Sequence, residues 1–160
     1  MLARLFPNVY EGWIVVGASS TVLFFLSASV FWGLGPMFNP IVDEFGWSVG
    51  ATSFAFAVRS EVNGIAAPFV GALIDRFGSR KLMIIGIILC SVALFLLSYM
   101  QNIFHFYLFM LLMALGGSTA GGQVTLVSTV SWFEQKRARA LALATAGGTL
   151  GGLLVVVVAV

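Results

Sequence analysis

Five stretches of this 160-residue chain are each long and apolar enough for a helix to cross a lipid bilayer, and nothing else in the sequence limits the fold as much. They run approximately over residues 13–38, 49–74, 82–100, 104–130 and 138–160. A helix needs about 19–20 residues to cross ~30 Å of hydrocarbon at 1.5 Å per residue. A spanning strand would need only about 10 residues, alternating polar with apolar side chains. These runs are too long and too uniform for that. Charged residues make up 9% of the chain, against roughly a quarter in a soluble domain. So few charges leave most of the surface without a polar coat, and lipid is its expected solvent. An all-α membrane protein follows. A cleaved signal peptide competes for the first run, since Arg4 precedes it and Ser27-Ala28-Ser29 resembles a cleavage site. The run is longer than a signal core, and four more follow it.

The basic residues set an expected orientation. Arg4 precedes the first run, Arg76, Arg80 and Lys81 follow the second, and Lys136, Arg137 and Arg139 follow the fourth. The turns after the first and third runs carry Asp43, Glu44 and His105, and no Lys or Arg. Cations confined to alternate turns place those turns, and the amino terminus, on the cytoplasmic side of a cell membrane. Cys90 is the only cysteine and lies inside an apolar run, where it reads as a packing residue. With one His, one Cys, no paired carboxylates at catalytic spacing and no phosphate-cradling loop, no enzyme, metal site or cofactor is expected. The cations are too few and too close to the membrane face for nucleic acid.

Within the runs, polar residues mark what is not plain lipid contact. Trp13 suits an interfacial belt, and Gly33-Leu34-Gly35-Pro36 predicts a bend or terminator, followed by a solvated loop over 38–48. The second run holds Arg59, Glu61 and Asn63 near mid-bilayer, where a charge costs at least ~2.5–3.5 kcal/mol and so requires a cavity or a partner. Arg59 and Asn63, four apart, share a face, and Glu61 lies about 200° from Arg59 around the axis. One face would line a solute path while the other bonds a neighbouring helix. Guanidinium geometry suits two-point capture of a carboxylate, and a structural contact to another helix is the competing reading. Gly64 and Pro68 predict a loosened helix, and Ala67 with Gly71 a close-packed side. The third run is aliphatic and expected to face lipid. Gly116-Gly117 with Gly121-Gly122 predict close packing in the fourth, with Gln123 as a path-lining candidate. In the fifth, Gly147/Gly151 and Gly148/Gly152 form two overlapping GxxxG pairs, a helix-packing pattern.

Gly71, Leu73, Asp75, Arg76, Gly78, Arg80 and Lys81 resemble the signature loop of the major facilitator superfamily, between its second and third spans. Glu11-Gly12-Trp13, and Trp132-Phe133 followed by Lys136-Arg137-Ala138-Arg139, are similar to its monocarboxylate and oxalate–formate branch. The resemblance implies that residues 1–160 are the first five transmembrane helices of a six-helix amino-terminal half, the rest of the protein lying beyond Val160. It implies a secondary transporter in which two halves rock about a central site, with Asp75 accepting hydrogen bonds at a helix amino end of the other half. The expected substrate is a small organic anion, carried by proton coupling or exchange. Small-monocarboxylate carriers of this branch often have a lysine in the first helix. Run 13–38 has no charge, which leaves Arg59 as the cation in its place. A drug–proton antiporter of the same superfamily and a non-transporting scaffold or receptor-like fragment are the alternatives.

Overall fold

The computed structural model describes residues 11–133 and 137–159, with side chains from 12 to 133 and 137 to 158. The expectations for Arg4 and Lys136 fall outside the described residues. The described residues form seven α-helices in order: α1 (Glu11–Leu26), α2 (Phe38–Phe45), α3 (Val49–Phe77), α4 (Ser79–Leu97), α5 (Ile103–Ala120), α6 (Gly122–Val130) and α7 (Arg137–Ala159). A π-helical segment, Ser27–Trp32, continues α1. Among the described residues, four helical stretches are long and apolar enough to cross a membrane: Gly12–Trp32, Ser79–Leu97, Ile103–Val130 and Arg137–Val158. The 29-residue α3 has the length, but Arg59, Glu61 and Asn63 dilute its apolar character.

Several boundaries differ from the sequence expectation for local reasons. The first run stops at Trp32, and most of the expected solvated loop is α2. Pro40 is the third residue of α2, within the first turn, where its missing N–H breaks no helical bond. Gly46 closes the helix with φ +63, the left-handed conformation glycine adopts at low cost. Ile41 is the buried residue of this short helix. The Ser48 side chain caps α3 by accepting from the Ala51 N–H at 3.2 Å, which satisfies a donor otherwise left orphaned. Pro68 lies inside α3, which runs on unbroken to Phe77. The charged loop shrinks to a single residue: Gly78, with φ +82, donates to the Ile74 carbonyl at 2.8 Å, and α4 starts at Ser79.

Two corrections concern the third and fourth runs. Leu82, Gly86, Cys90 and Ala93 bury one face of α4, so that helix is not simply a lipid-facing rod. The fourth run is not one helix. It breaks at Gly121, whose backbone is extended (φ −77, ψ −163), and a Cβ there would overlap the Gly117 carbonyl oxygen. The paired glycines, read from sequence as packing residues, also contain this break.

Small residues set the packing. A Cβ on Gly86 would lie 2.6 Å from the Ala120 Cβ, and one on Gly116 would lie 2.7 Å from the Cys90 Sγ, so α4 and α5 meet backbone to backbone. Among lipids such closeness is favoured by dispersion, because lipid tails offer helices no hydrophobic reason to associate. Phe106, Met110 and Met113 of α5 are fully buried against this seam. Outward-facing side chains are large and apolar, as at Phe95 (65% exposed) and Val157 (77%). At one end of the bundle Trp13 packs edge-on against Phe133 (5.2 Å), Arg80 lies over the Trp132 ring (5.6 Å), and the Arg137 Nε donates to the Phe133 carbonyl (2.7 Å). The α3–α4 and α6–α7 turns are thereby clasped together. At α2 and its neighbours, Phe45 stacks on Trp47, and Trp47 tilts against Phe106.

Candidate substrate-pathway site

The break between α5 and α6 faces the middle of α3, and between them lies a cleft of about 310 Å³. Ser60, Asn63 and Gly64 line it from α3, and Ser118, Gly122 and Gln123 line it from the broken helix, with Phe31 at its edge. Two of the sequence candidates, Asn63 and Gln123, therefore come together although 60 residues separate them. Gly122 and Gln123 are the first residues of α6. Backbone N–H groups at that position lack intrahelical acceptors and sit at the positive end of the helix dipole. The cleft thus offers two amides, the Ser60 hydroxyl and a helix amino end, a set suited to binding the oxygens of a solute; the Ser118 hydroxyl already donates to the Leu115 carbonyl at 2.9 Å.

Arg59 and Glu61 are arranged differently. A guanidinium N–H of Arg59 donates to the Val30 carbonyl, and its cationic carbon lies 5.7 Å from the Phe56 ring centroid. Val30 belongs to the π-helical segment, near the end of the first span. Carbonyls in the last turn of a helix lack an N–H partner, and Arg59 supplies one. The i, i+4 spacing places Arg59 one turn from Asn63, yet its side chain bonds the Val30 carbonyl, next to the cleft-edge residue Phe31, and does not itself line the cleft. Glu61 is on the exposed side of α3 and does not line the cleft.

The signature residues all lie at one turn. Asp75, Arg76, Arg80 and Lys81 are exposed, and Arg76 lies over the Phe77 ring at 5.6 Å. Gly71 has open space where a Cβ would stand, so it does not make the close helix contact expected of it. Asp75 sits in the last turn of α3, and Arg80 and Lys81 sit in the first turn of α4. Each is at the helix end that disfavours its sign of charge.

At the packing glycines, a Cβ on Gly147 would overlap the Ser20 carbonyl oxygen, and one on Gly151 would overlap that of Phe24. Gly148 meets Leu23 only at 3.8 Å, and Gly152 approaches Trp32 at 3.1 Å. The first pair thus forms the α1–α7 contact, and the second faces the side where Trp32 lies. Sequence reasoning missed Phe31, Ser60 and Ser118. Ser60 stands three residues before Asn63, a helical neighbour spacing that offered a signal; Phe31 offered none within an apolar run.

The family model described as Major Facilitator Superfamily matches residues 20–160. The chain belongs to the major facilitator superfamily. As a member it is a multi-pass membrane protein of a transport family. Among curated relatives, the chain is 32% identical to the "Uncharacterized MFS-type transporter YcxA" of Bacillus subtilis over 72% of its own length and 28% of that protein's. It is 28% identical to "Monocarboxylate transporter 11" of Mus musculus over 92% of the chain and 33% of the relative. It is also 28% identical to "Monocarboxylate transporter 14" of Homo sapiens over 94% and 30%. The chain therefore spans about a third or less of these relatives' length. No solved structure matches it significantly.

Proposed function

We propose that this superfamily member carries a small organic anion, a carboxylate, across the plasma membrane by secondary active, alternating-access transport. The reading takes α3 as a fifth span, the amino terminus as cytoplasmic, and residues 1–160 as part of an amino-terminal half. The observation that carries it is the cleft in which Asn63 and Gln123 meet at the amino end of α6. That end favours negative charge, and Arg59 adds a cation one turn away. The monocarboxylate carriers among the relatives support the same class of solute. Coupling is by protons or by exchange.

Asp75 is assigned to gating. Its own helix disfavours a carboxylate at that end, so the residue fits an acceptor role toward a helix amino terminus elsewhere in the full-length protein. Arg76, Arg80 and Lys81 complete a charged cytoplasmic turn clasped to Trp132. Full-length protein in proteoliposomes tests the reading, with labelled carboxylates offered with and without a pH gradient. Saturable uptake that other carboxylates compete for, and lipophilic cations do not, is the expected result. Competition by the cations alone would point to a drug–proton antiporter instead.

A further inference from the structure

A second cleft of about 640 Å³ opens beside the first. Leu23, Leu26 and Trp32 line it from the first span, and Gly148, Leu153 and Val156 line it from α7. Phe31 and Gly122 border both clefts. The two differ in chemistry: amide and hydroxyl groups of Ser60, Asn63, Ser118 and Gln123 on one side, and on the other mostly apolar walls in which Ser27, Thr145 and Thr149 are the polar residues. Both volumes lie in the range of about 300–1,000 Å³ usual for small-molecule sites. Phe31 is 44% exposed, so its ring is not locked into the core. The residue before it, Val30, is 3% exposed, and its carbonyl accepts the Arg59 bond. The backbone that carries the ring is therefore pinned while the ring stands between the clefts.

We infer that the transported carboxylate has an apolar tail, with its head in the Asn63–Gln123 cleft and its tail in the Leu23–Val156 cleft, and that Phe31 is the partition that sets tail selectivity. The inference rests on the anion-carrier reading and adds the substrate's shape to it. Arg59 acts here as a positioning residue, holding Phe31 in place through the Val30 carbonyl. Two adjoining clefts, one bearing amides and hydroxyls and the other far more apolar, fit one amphipathic solute better than a compact polar one. A small hydroxy- or keto-acid would leave the aliphatic cleft unfilled and gain nothing from it.

Full-length protein in proteoliposomes, assayed with straight-chain carboxylates from acetate to octanoate, provides the test. Apparent affinity should rise about twofold to fourfold for each added methylene until the cleft is filled. Thr149→Phe, at a residue lining the aliphatic cleft, should lower the octanoate-to-propionate preference at least fivefold. Phe31→Ala should shift preference toward branched and aromatic tails. Arg59→Gln should lower the octanoate-to-propionate preference in addition to slowing uptake of both acids, because the same residue supplies the cation beside the head cleft. Carboxylate uptake with no dependence on tail length in the unaltered protein overturns this inference and leaves the anion-carrier reading standing. That is also the outcome expected if another helix or a lipid chain fills the aliphatic cleft. No uptake of any carboxylate overturns both.

Discussion

Asp75, Arg80 and Lys81 each occupy the end of a helix that electrostatically disfavours them, within seven positions of one another and around a one-residue turn. Reversing those placements would stabilise α3 and α4 by about 0.3–1 kcal/mol per charge, so the pattern is not one that local stability selects. Asp75→Asn should cut uptake at least tenfold at equal surface expression, with no fall in thermal stability; wild-type uptake would remove Asp75 from the gate. Arg59→Gln should lower stability in detergent by about 1–3 kcal/mol, because the Val30 carbonyl loses a charged donor, and a melting point equal to wild type would refute that contact. The importance of Arg59 was legible in the sequence, since a charge at mid-bilayer needs a partner. Its partner was not, because backbone carbonyls carry no sequence signature. Asn63 and Gln123 were each legible as polar residues in apolar runs, while their meeting in one cleft depended on the break at Gly121.

At the scale of helices, small residues decide which pairs touch. Gly147→Leu should disrupt the α1–α7 contact, since even a Cβ overlaps the Ser20 carbonyl, and the variant should elute as aggregate after detergent extraction. Gly148→Ala should behave like the native protein, because its Cβ would meet Leu23 at an ordinary 3.8 Å. Equal behaviour of the two variants would show that the seam does not depend on these glycines. The apolar runs announced helices because length and uniformity leave few alternatives in lipid. The seam between α4 and α5 was harder to see, since Gly86, Cys90 and Ala93 are scattered among aliphatic residues and only Gly86 is conspicuously small. The helix α2 was hidden by Asn39-Pro40, a pair that reads as a turn yet is tolerated in a first helical turn. The π-helical segment has no periodicity of its own over six residues.

For the molecule as a whole, the side on which the basic turns lie is the deciding test. In a Cys90→Ala background, a cysteine at position 43 should react with a membrane-impermeant thiol reagent in intact cells. One at position 79 should react only after permeabilisation. The reverse pattern would invert the proposed orientation and, with it, the cytoplasmic gate. Clasping of the α3–α4 turn to the α6–α7 turn, through Arg80 on Trp132, predicts that the two turns move as one body. The interruption at Gly121 has the opposite effect. A continuous rod passing through both leaflets would convey any tilt at one surface to the other, whereas two rods meeting at an extended residue bend independently. Each leaflet's half of that span is therefore free to follow its own neighbours, and the joint lies beside the cleft where the solute would sit.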